Sequence, residues 1–309
     1  MLRWLVAGVG DISRKRVLPA ILSEPRSSLS GIVTRTPAKA EPYGVASWPE
    51  FHQAIAECHA DAVYIATPVF LHAPQTIAAL RAGLHVLCEK PMALDYAEAR
   101  DMERAARETK RTFGIAYYRR MYPKVDRARH LIAEGAIGRP VFAEATSHDD
   151  FNPLGGDRAW LTDPVKAGGG PLRDIASHRI DLFNYLFGEP VRVSAHLSTL
   201  VHAFDVEDNA SVLIEYAGGV RGFVDVRWHA RPARDEFRIR GTAGEIDLTP
   251  LNGPELVYPG GRESHPAHRN IHYPCIEDFV TAVDEGRPPR SSGETALPAE
   301  WVMERSMRP

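Results

Sequence analysis

The chain has 309 residues, which predicts two domains, and its hydrophobic content of 44% and charged content of 25% are ordinary for a soluble globular protein. A formal net charge of −3 gives no reason to expect nucleic acid or an anionic membrane as a partner. The apolar runs are too short to span a bilayer, and the apolar start is too brief for a signal peptide. Cys58, Cys88 and Cys275 lack metal-ligand spacing, which favours reduced core thiols in a cytoplasmic protein.

A glycine-rich turn follows the first predicted strand. Residues 2–7 are mainly apolar, and Gly8-Val9-Gly10-Asp11-Ile12-Ser13 comes directly after them. The first glycine of such a fingerprint permits a tight turn, and the second lets a pyrophosphate approach the backbone at the start of a helix. Ser13 replaces the third glycine, which normally allows close packing of the helix. The motif predicts a dinucleotide site, with a plain tight turn as the alternative.

The residues after the second predicted strand bear on the choice of cofactor. This strand, at 29–33, ends in Thr34-Arg35-Thr36, where an NAD site usually has Asp or Glu for the ribose hydroxyls. Because a guanidinium suits a 2′-phosphate, we expect NADP(H) to be preferred, with NAD(H) as the second candidate. The alternative for Arg35 is an ordinary loop arginine.

Strands and helices alternate over the first 121 residues. The strands are predicted at 2–7, 29–33, 62–66, 86–88 and 112–117, and the helices at 14–22, 49–57, 75–81 and 96–109. Pro19 is expected to kink or shorten the first helix. The alternation predicts parallel βαβ units in a doubly wound sheet, so we interpret residues 1–121 as a Rossmann dinucleotide-binding domain.

Glu89 and Lys90 directly follow a short buried strand, and Pro91 ends it. In open α/β sheets, ligands bind outside the carboxyl ends of the strands, so Lys90 is a candidate site residue. The alternative is a solvated lysine, which is the commoner fate of this residue type.

Residues 122–309 predict a second, α+β domain. Helices are predicted at 124–134, 172–187, 275–284 and 295–306, strands at 141–146, 193–200, 210–216, 220–227 and 236–240, and a polar loop at 149–167. Consecutive strands without helices between them indicate a mostly antiparallel sheet. The last helix, 295–306, is expected to pack back on the body.

The helix at 172–187 follows Gly168-Gly169-Gly170-Pro171 and carries a polar stripe. Asp174, His178, Asp181 and Tyr185 are spaced by four, three and four residues, so they share one helix face. The alternative is a solvated face in which Asp174 and His178 form a modest pair.

These motifs, taken together, resemble the family of glucose–fructose oxidoreductase, inositol 2-dehydrogenase and rhizopine catabolism proteins (Gfo/Idh/MocA). The resemblance covers nearly the whole chain through residues 8–12, 67–72, 79–91, 168–174 and His178. It is nearest to the NADP-preferring members, which also carry a hydroxyl residue and an arginine where Thr34 and Arg35 stand. It implies a Rossmann domain, then a domain with a large, open, mostly antiparallel sheet that often forms a dimer interface, and an active site between the domains. A homodimer or homotetramer is therefore expected.

The resemblance also implies roles for individual residues. The catalytic residues are Lys90, Asp174 and His178. The cofactor-binding residues are Gly8, Gly10, Asp11, Ile12, Thr34, Arg35, Thr67, Pro68, His72, Glu89 and Lys90. The substrate-binding residues are Tyr118, Arg119, Trp160 and Asp174, with Asp149 and Asp150 as further wall residues of the pocket. For Trp160 the alternative is a plain core residue. Tyr118-Arg119-Arg120 departs from the asparagine that precedes the arginine in some sugar and inositol enzymes, which leaves the substrate open.

The expected reaction is hydride transfer between nicotinamide and a sugar, polyol or related secondary alcohol or carbonyl, without a metal. His178 would act as general base or acid, Lys90 would stabilise the alkoxide, and Asp174 would orient the imidazole or bind a hydroxyl. The alternatives are a glycosidase that oxidises its substrate transiently and a non-catalytic nucleotide or sugar sensor. The presence of Lys90, Asp174 and His178 favours an enzyme.

Overall fold

The structure is a computed structural model, and it describes residues 1–152 and 156–308. The chain forms two compact units. The first unit contains Met1–Tyr118 and Asn270–Leu297, and the second contains Arg119–Arg269 and Pro298–Pro309. Within the described ranges, every helix falls short of the length and apolar character that crossing a bilayer requires.

The regular elements of the described residues are numbered in chain order. The strands are β1 (Leu2–Ala7), β2 (Ser27–Val33), β3 (Ala46–Trp48), β4 (Ala62–Ile65), β5 (His85–Cys88), β6 (Phe113–Ile115), β7 (Pro140–Asp150), β8 (Pro190–Ser198), β9 (Asn209–Tyr216), β10 (Arg221–Arg227), β11 (His229–Gly241), β12 (Glu245–Asp247), β13 (Glu255–Tyr258) and β14 (Gly261–Ser264). The α-helices are α1 (Leu18–Ser23), α2 (Phe51–Glu57), α3 (His72–Arg81), α4 (Tyr96–Thr109), α5 (Pro123–Ala133), α6 (Pro164–Ala167), α7 (Ser177–Phe187), α8 (Tyr273–Glu285) and α9 (Gly293–Ser306).

The first unit is built on a parallel sheet in the order β3-β2-β1-β4-β5-β6. The central strand β1 is apolar because it is covered on both faces, and Trp4 to Ala7 are fully buried. The strand order reverses beside β1, and the carboxyl ends of β1, β4 and β5 lead to Gly8, Thr67 and Lys90. The predicted doubly wound sheet is confirmed.

A segment from the far end of the chain completes the first unit. In this segment Phe279 on α8 packs its ring 5.4 Å from that of Trp4. Arg26 donates to the hydroxyl of Thr281 at 3.0 Å, and the Ile115 amide donates to the Ser291 carbonyl. The chain first passes from one unit to the other between Tyr118 and Arg119, close to the domain boundary predicted after residue 121. The prediction, however, assigned the returning segment to the second domain.

The second unit is built on a sheet in the order β14-β13-β12-β11-β7-β10-β9-β8. Its pairs are antiparallel except for β10 with β7, so the predicted mostly antiparallel sheet is confirmed. Hairpins join β9 to β10 at Gly218-Gly219 and β11 to β12 at residues 242–244. Its buried apolar side chains include Val212, Ile214, Val224, Val226, Phe237 and Ile239.

The prediction of a polar loop at 149–167 was wrong, because regular elements cover most of this range. Strand β7 continues to Asp150, a 3-10 helix covers Gly156–Thr162, and α6 follows, while residues 153–155 lie outside the described residues. The side chain of Asp163 caps α6 by accepting from the Val165 amide at 3.0 Å, and Pro164 opens the helix. The start of α6 is therefore set by a local cap.

Candidate active site

The glycine turn after β1 has the geometry that a dinucleotide needs. Gly8 has a φ of +93°, and a Cβ there would lie 2.6 Å from the Ala66 carbonyl oxygen, so only glycine fits between the ends of β1 and β4. A Cβ on Gly10 would meet no heavy atom within 4 Å, which leaves room for a phosphate against the backbone. The turn fits the pyrophosphate of a nicotinamide dinucleotide.

Ser13 closes this turn instead of a third glycine. Its buried hydroxyl donates to the Gly8 carbonyl at 2.7 Å. The helix then starts with a π-helical turn at Ser13–Val17 and continues as α1, which has Pro19 in its first turn. The predicted disturbance by Pro19 therefore appears as this change of helix type.

Thr34 and Arg35 lie where the sequence predicted them, directly after β2. The Thr34 amide donates to the Trp48 carbonyl at 2.8 Å, and its hydroxyl accepts from the Thr36 amide at 3.2 Å. Arg35 is exposed. The turn thus presents a hydroxyl and a guanidinium at the carboxyl edge of the sheet.

Glu89 directs its carboxylate into the first unit. It accepts from the Tyr64 hydroxyl at 2.7 Å and lies 3.3 Å from Nε2 of His272. The Lys90 amide donates to its other oxygen at 3.2 Å. Burial alone would raise the pKa of Glu89, but His272 and Tyr64 outweigh it and the pKa is lowered. Glu89 is therefore an ionised anchor for the backbone at Lys90.

His72 connects the segments that follow β4 and β5. Its buried imidazole lies 2.9 Å from the carbonyl oxygens of both Thr67 and Pro91. Burial lowers the pKa of His72. Thr67 in turn donates its hydroxyl to Gln75 at 2.8 Å. His72 therefore holds the Thr67-Pro68 turn beside the backbone of Lys90 and Pro91.

Asp174 and His178 lie in the second unit, one helical turn apart. Asp174 is on a π-helical turn at Leu172–Ala176, and His178 follows on α7. His178 is 5% exposed, and Asp174 lies 3.5 Å from the guanidinium of Arg158. The stripe continues to the fully buried Asp181, so its interpretation as a solvated face is wrong.

Asp181 is held by a buried ion pair. Arg120 donates to it through Nε at 2.9 Å, and the side chains of Arg120 and Asp181 are 2% and 1% exposed. Although burial raises the pKa of Asp181, the Arg120 guanidinium opposes this rise. The pair joins α7 to the residues that precede α5.

The predicted substrate-binding residues belong to both units. Tyr118 belongs to the first unit, where its ring lies 4.6 Å from that of His272. Arg119 belongs to the second unit and donates to Asn252 at 3.1 Å. Trp160 packs against the cluster formed by Leu161, Val206 and Trp228. Asp150 pairs with Arg231, and Asp149 accepts from the Asp150 amide.

Tyr64 and His272 were missed by the sequence analysis. Tyr64 lies inside an apolar strand, and His272 precedes a helix assigned to the other domain, so neither has a local pattern that indicates its contact with Glu89. Within the described residues, no group of three or more His, Cys, Asp and Glu side chains could hold a metal ion.

A parallel sheet with an open glycine turn at its strand reversal defines a dinucleotide-binding protein of the Rossmann class. Residues 2–117 match the model of the oxidoreductase family with an NAD-binding Rossmann fold, and residues 125–247 match the GFO/IDH/MocA C-terminal domain. The chain belongs to the GFO/IDH/MocA family of oxidoreductases, as the motifs predicted.

Similar proteins span nearly the same length. 1,5-Anhydro-D-fructose reductase of Ensifer adhaerens is 30% identical over 312 residues, which cover 96% of this chain and 92% of that protein. An oxidoreductase of Thermotoga maritima has a TM-score of 0.90 at 26% identity, covering 99% and 96% of the two chains. Levoglucosan dehydrogenase in complex with NADH and L-sorbose has a TM-score of 0.88 at 25% identity, covering 99% and 95%.

Proposed function

We propose that this protein is an NADP(H)-preferring oxidoreductase that transfers a hydride between nicotinamide and a CH–OH or carbonyl carbon of a sugar or polyol. The observation that carries the proposal is the placement of the glycine turn and Lys90 at one carboxyl edge of the parallel sheet. The names of the similar proteins, a reductase of an anhydro sugar and a dehydrogenase of levoglucosan, support the substrate class.

The cofactor would bind through the residues that follow β1, β2 and β4. The open backbone at Gly10 suits the pyrophosphate, and the start of the following helix supplies positive partial charge. Arg35 suits a 2′-phosphate, which supports NADP(H) over NAD(H). Thr67, Pro68 and His72 form the next part of the same edge.

The bound nicotinamide supplies the hydride chemistry, and the protein supplies position, charge and a proton path. Lys90 would donate a hydrogen bond to the reacting oxygen and stabilise alkoxide charge as it develops. His178 would accept the hydroxyl proton in oxidation and return it in reduction, because imidazole titrates near neutral pH. Asp174, one helical turn before His178, would orient the imidazole or bind a neighbouring substrate hydroxyl.

We also propose a homodimer or homotetramer in the cytoplasm. Leu213 on β9 pairs across the strands with Phe223 on β10, and Leu213 is 36% exposed, so an apolar pair lies on the sheet surface. Cys58, Cys88 and Cys275 are buried thiols, which suits a reducing compartment. Sedimentation equilibrium tests the assembly, and Leu213→Asp should shift it toward the monomer.

The experiment that tests the function has two stages. Purified protein is titrated with NADPH and with NADH by nucleotide fluorescence, and the complex is then assayed against sugars and polyols by nicotinamide absorbance. We expect tighter binding of NADPH and turnover of a sugar or polyol. Binding without turnover across the panel would support a sensor or a glycosidase, and absence of binding would contradict the assignment of the glycine turn.

A further inference from the structure

A carboxylate that the sequence analysis did not single out lies against the helix that carries Asp174 and His178. Glu207 accepts from the Gly170 amide at 2.9 Å through Oε2 and from the Leu172 amide at 3.0 Å through Oε1. Both amides belong to the start of the helical segment, where backbone N–H groups have no partner inside the helix. Glu207 therefore caps this helix from a distant part of the chain.

The glycine loop before the helix is shaped by the same contact. A Cβ on Gly170 would overlap the backbone carbonyl oxygen of Glu207, so this position admits glycine alone. Gly169 has a φ of +155°, and a Cβ there would lie 3.5 Å from the Glu207 carboxylate. The glycine run thus lets the loop approach the backbone and side chain of Glu207 closely.

A second carboxylate holds the same helical turn. Arg173 donates to Glu300 on α9 at 3.1 Å, and both side chains are within 2% of full burial. Arg173 stands between Leu172, whose amide is bound by Glu207, and Asp174. The turn Leu172–Ala176 is therefore held through its backbone by Glu207 and through a side chain by Glu300.

We propose that Glu207 is a positioning residue for the hydride-transfer reaction, because it fixes the start of the helical segment that carries Asp174 on its first turn and His178 on the next. The inference rests on the proposed function. Two amides on two different carboxylate oxygens define the orientation of the turn as well as its place. Small displacements of catalytic groups cost large factors in rate, so the contact acts on turnover more than on binding.

Glu207→Gln tests this role with little change of volume. The amide offers one acceptor oxygen, and its NH₂ group would face the second backbone donor. The matched control is Asp225→Asn in the second unit, since the carboxylate of Asp225 likewise accepts from two groups, the Ser211 hydroxyl and His148, both at 2.6 Å. Both variants remove a carboxylate with several partners, but only one of them changes the helix cap.

For Glu207→Gln we expect kcat to fall about tenfold or more, with KM and the Kd of NADPH unchanged. Asp225→Asn should keep the kcat of the parent protein, although its Tm should fall by about as much as that of Glu207→Gln. The imidazole NMR signals of His178, assigned with His178→Ala, should move in Glu207→Gln and stay in place in Asp225→Asn. If Glu207→Gln does not fold, Glu207→Asp, which keeps the charge but is one methylene shorter, should show the same fall in kcat.

Two failures can be told apart. Equal kcat in the Glu207 variant and Asp225→Asn, with unmoved His178 signals, would overturn the positioning role. Absence of turnover by the parent protein across the whole panel of sugars and polyols would instead overturn the proposed function, on which that role depends.

Discussion

The hydroxyl of Tyr64 donates a hydrogen bond of 2.7 Å to Glu89, which directly precedes Lys90. With His272 at 3.3 Å, it keeps this buried carboxylate ionised, and the Lys90 amide donates to the same group. The backbone of the candidate catalytic lysine is thus tied to a residue inside the sheet and to one from the returning segment. Removal of either partner of Glu89, Tyr64 or His272, should therefore change the free energy of unfolding.

Tyr64→Phe should lower the free energy of unfolding by about 1–3 kcal/mol at pH 7, because it removes a hydrogen bond to a buried charged group. The folded-state pKa of Glu89 is lowered, so the stability it contributes is present above its ordinary pKa and is lost as the pH falls through the lower folded value. The difference between variant and parent should therefore narrow in acid. Urea unfolding at pH 7 and pH 4 measures this difference, and the control is Tyr43→Phe, at the end of a short 3-10 helix where the side chain is half-buried. Equal differences at both pH values would contradict the prediction.

Arg35→Ala should weaken NADPH and spare NADH. One charge-assisted contact to a 2′-phosphate contributes about 1.5–3 kcal/mol, which corresponds to about 10- to 150-fold in Kd. Fluorescence titration with both nucleotides measures the change, and Arg81→Ala, an exposed arginine at the end of α3, is the control. Equal weakening of NADPH and NADH would show that Arg35 does not select the phosphate.

Lys90→Met and His178→Ala should each reduce kcat by about 10² or more while NADPH still binds. This is the usual loss for a contact to a developing alkoxide or for a general acid–base group. Lys166→Met, which removes a surface lysine paired with Asp163, should leave kcat unchanged. Near-normal turnover in both site variants would refute the catalytic assignment.

The first unit was predicted well because its signals are local. Strand β1 has the predicted bounds, and so does α4, whose first turn is capped by Asp95 accepting from the Glu98 amide at 2.8 Å. Alternation of such elements is enough to predict a parallel sheet and the edge where ligands bind. The candidate residues Gly8, Gly10 and Lys90 followed from this edge.

The contacts that support those residues could not be predicted in the same way. The His272–Glu89 pair and the Glu207 cap join segments that are far apart in the chain. Such long-range contacts produce no periodic pattern of residue types from which they could be predicted. The short helix α6 is different, since Asp163 followed by Pro164 is a readable start signal that the polar composition of the surrounding residues obscured.

Glu103 on α4 is a carboxyl group in an unfavourable place. Its side chain is 9% exposed and lies against the start of α9, where a Cβ on Gly293 would overlap its oxygen. Burial raises the pKa of Glu103 to about 7, although Arg107, at 3.8 Å, lowers it, and Glu294 adds to the rise. The folded protein therefore holds this proton at pH values where the unfolded chain has released it.

Glu103→Gln should stabilise the protein at pH 8 and leave it almost unchanged at pH 4.5. Between the ordinary pKa of 4.5 and the folded value of about 7, the parent loses stability as the pH rises, because only the folded state binds the proton. The total loss is about 3 kcal/mol, and an amide, which does not ionise, avoids it.

Urea unfolding at both pH values measures the gain in stability of Glu103→Gln. Glu108→Gln, on the exposed side of the same helix, should change stability little at either pH. An equal effect of Glu103→Gln at pH 4.5 and pH 8 would show that the pKa of Glu103 is the same in the folded and the unfolded protein, which would contradict the prediction.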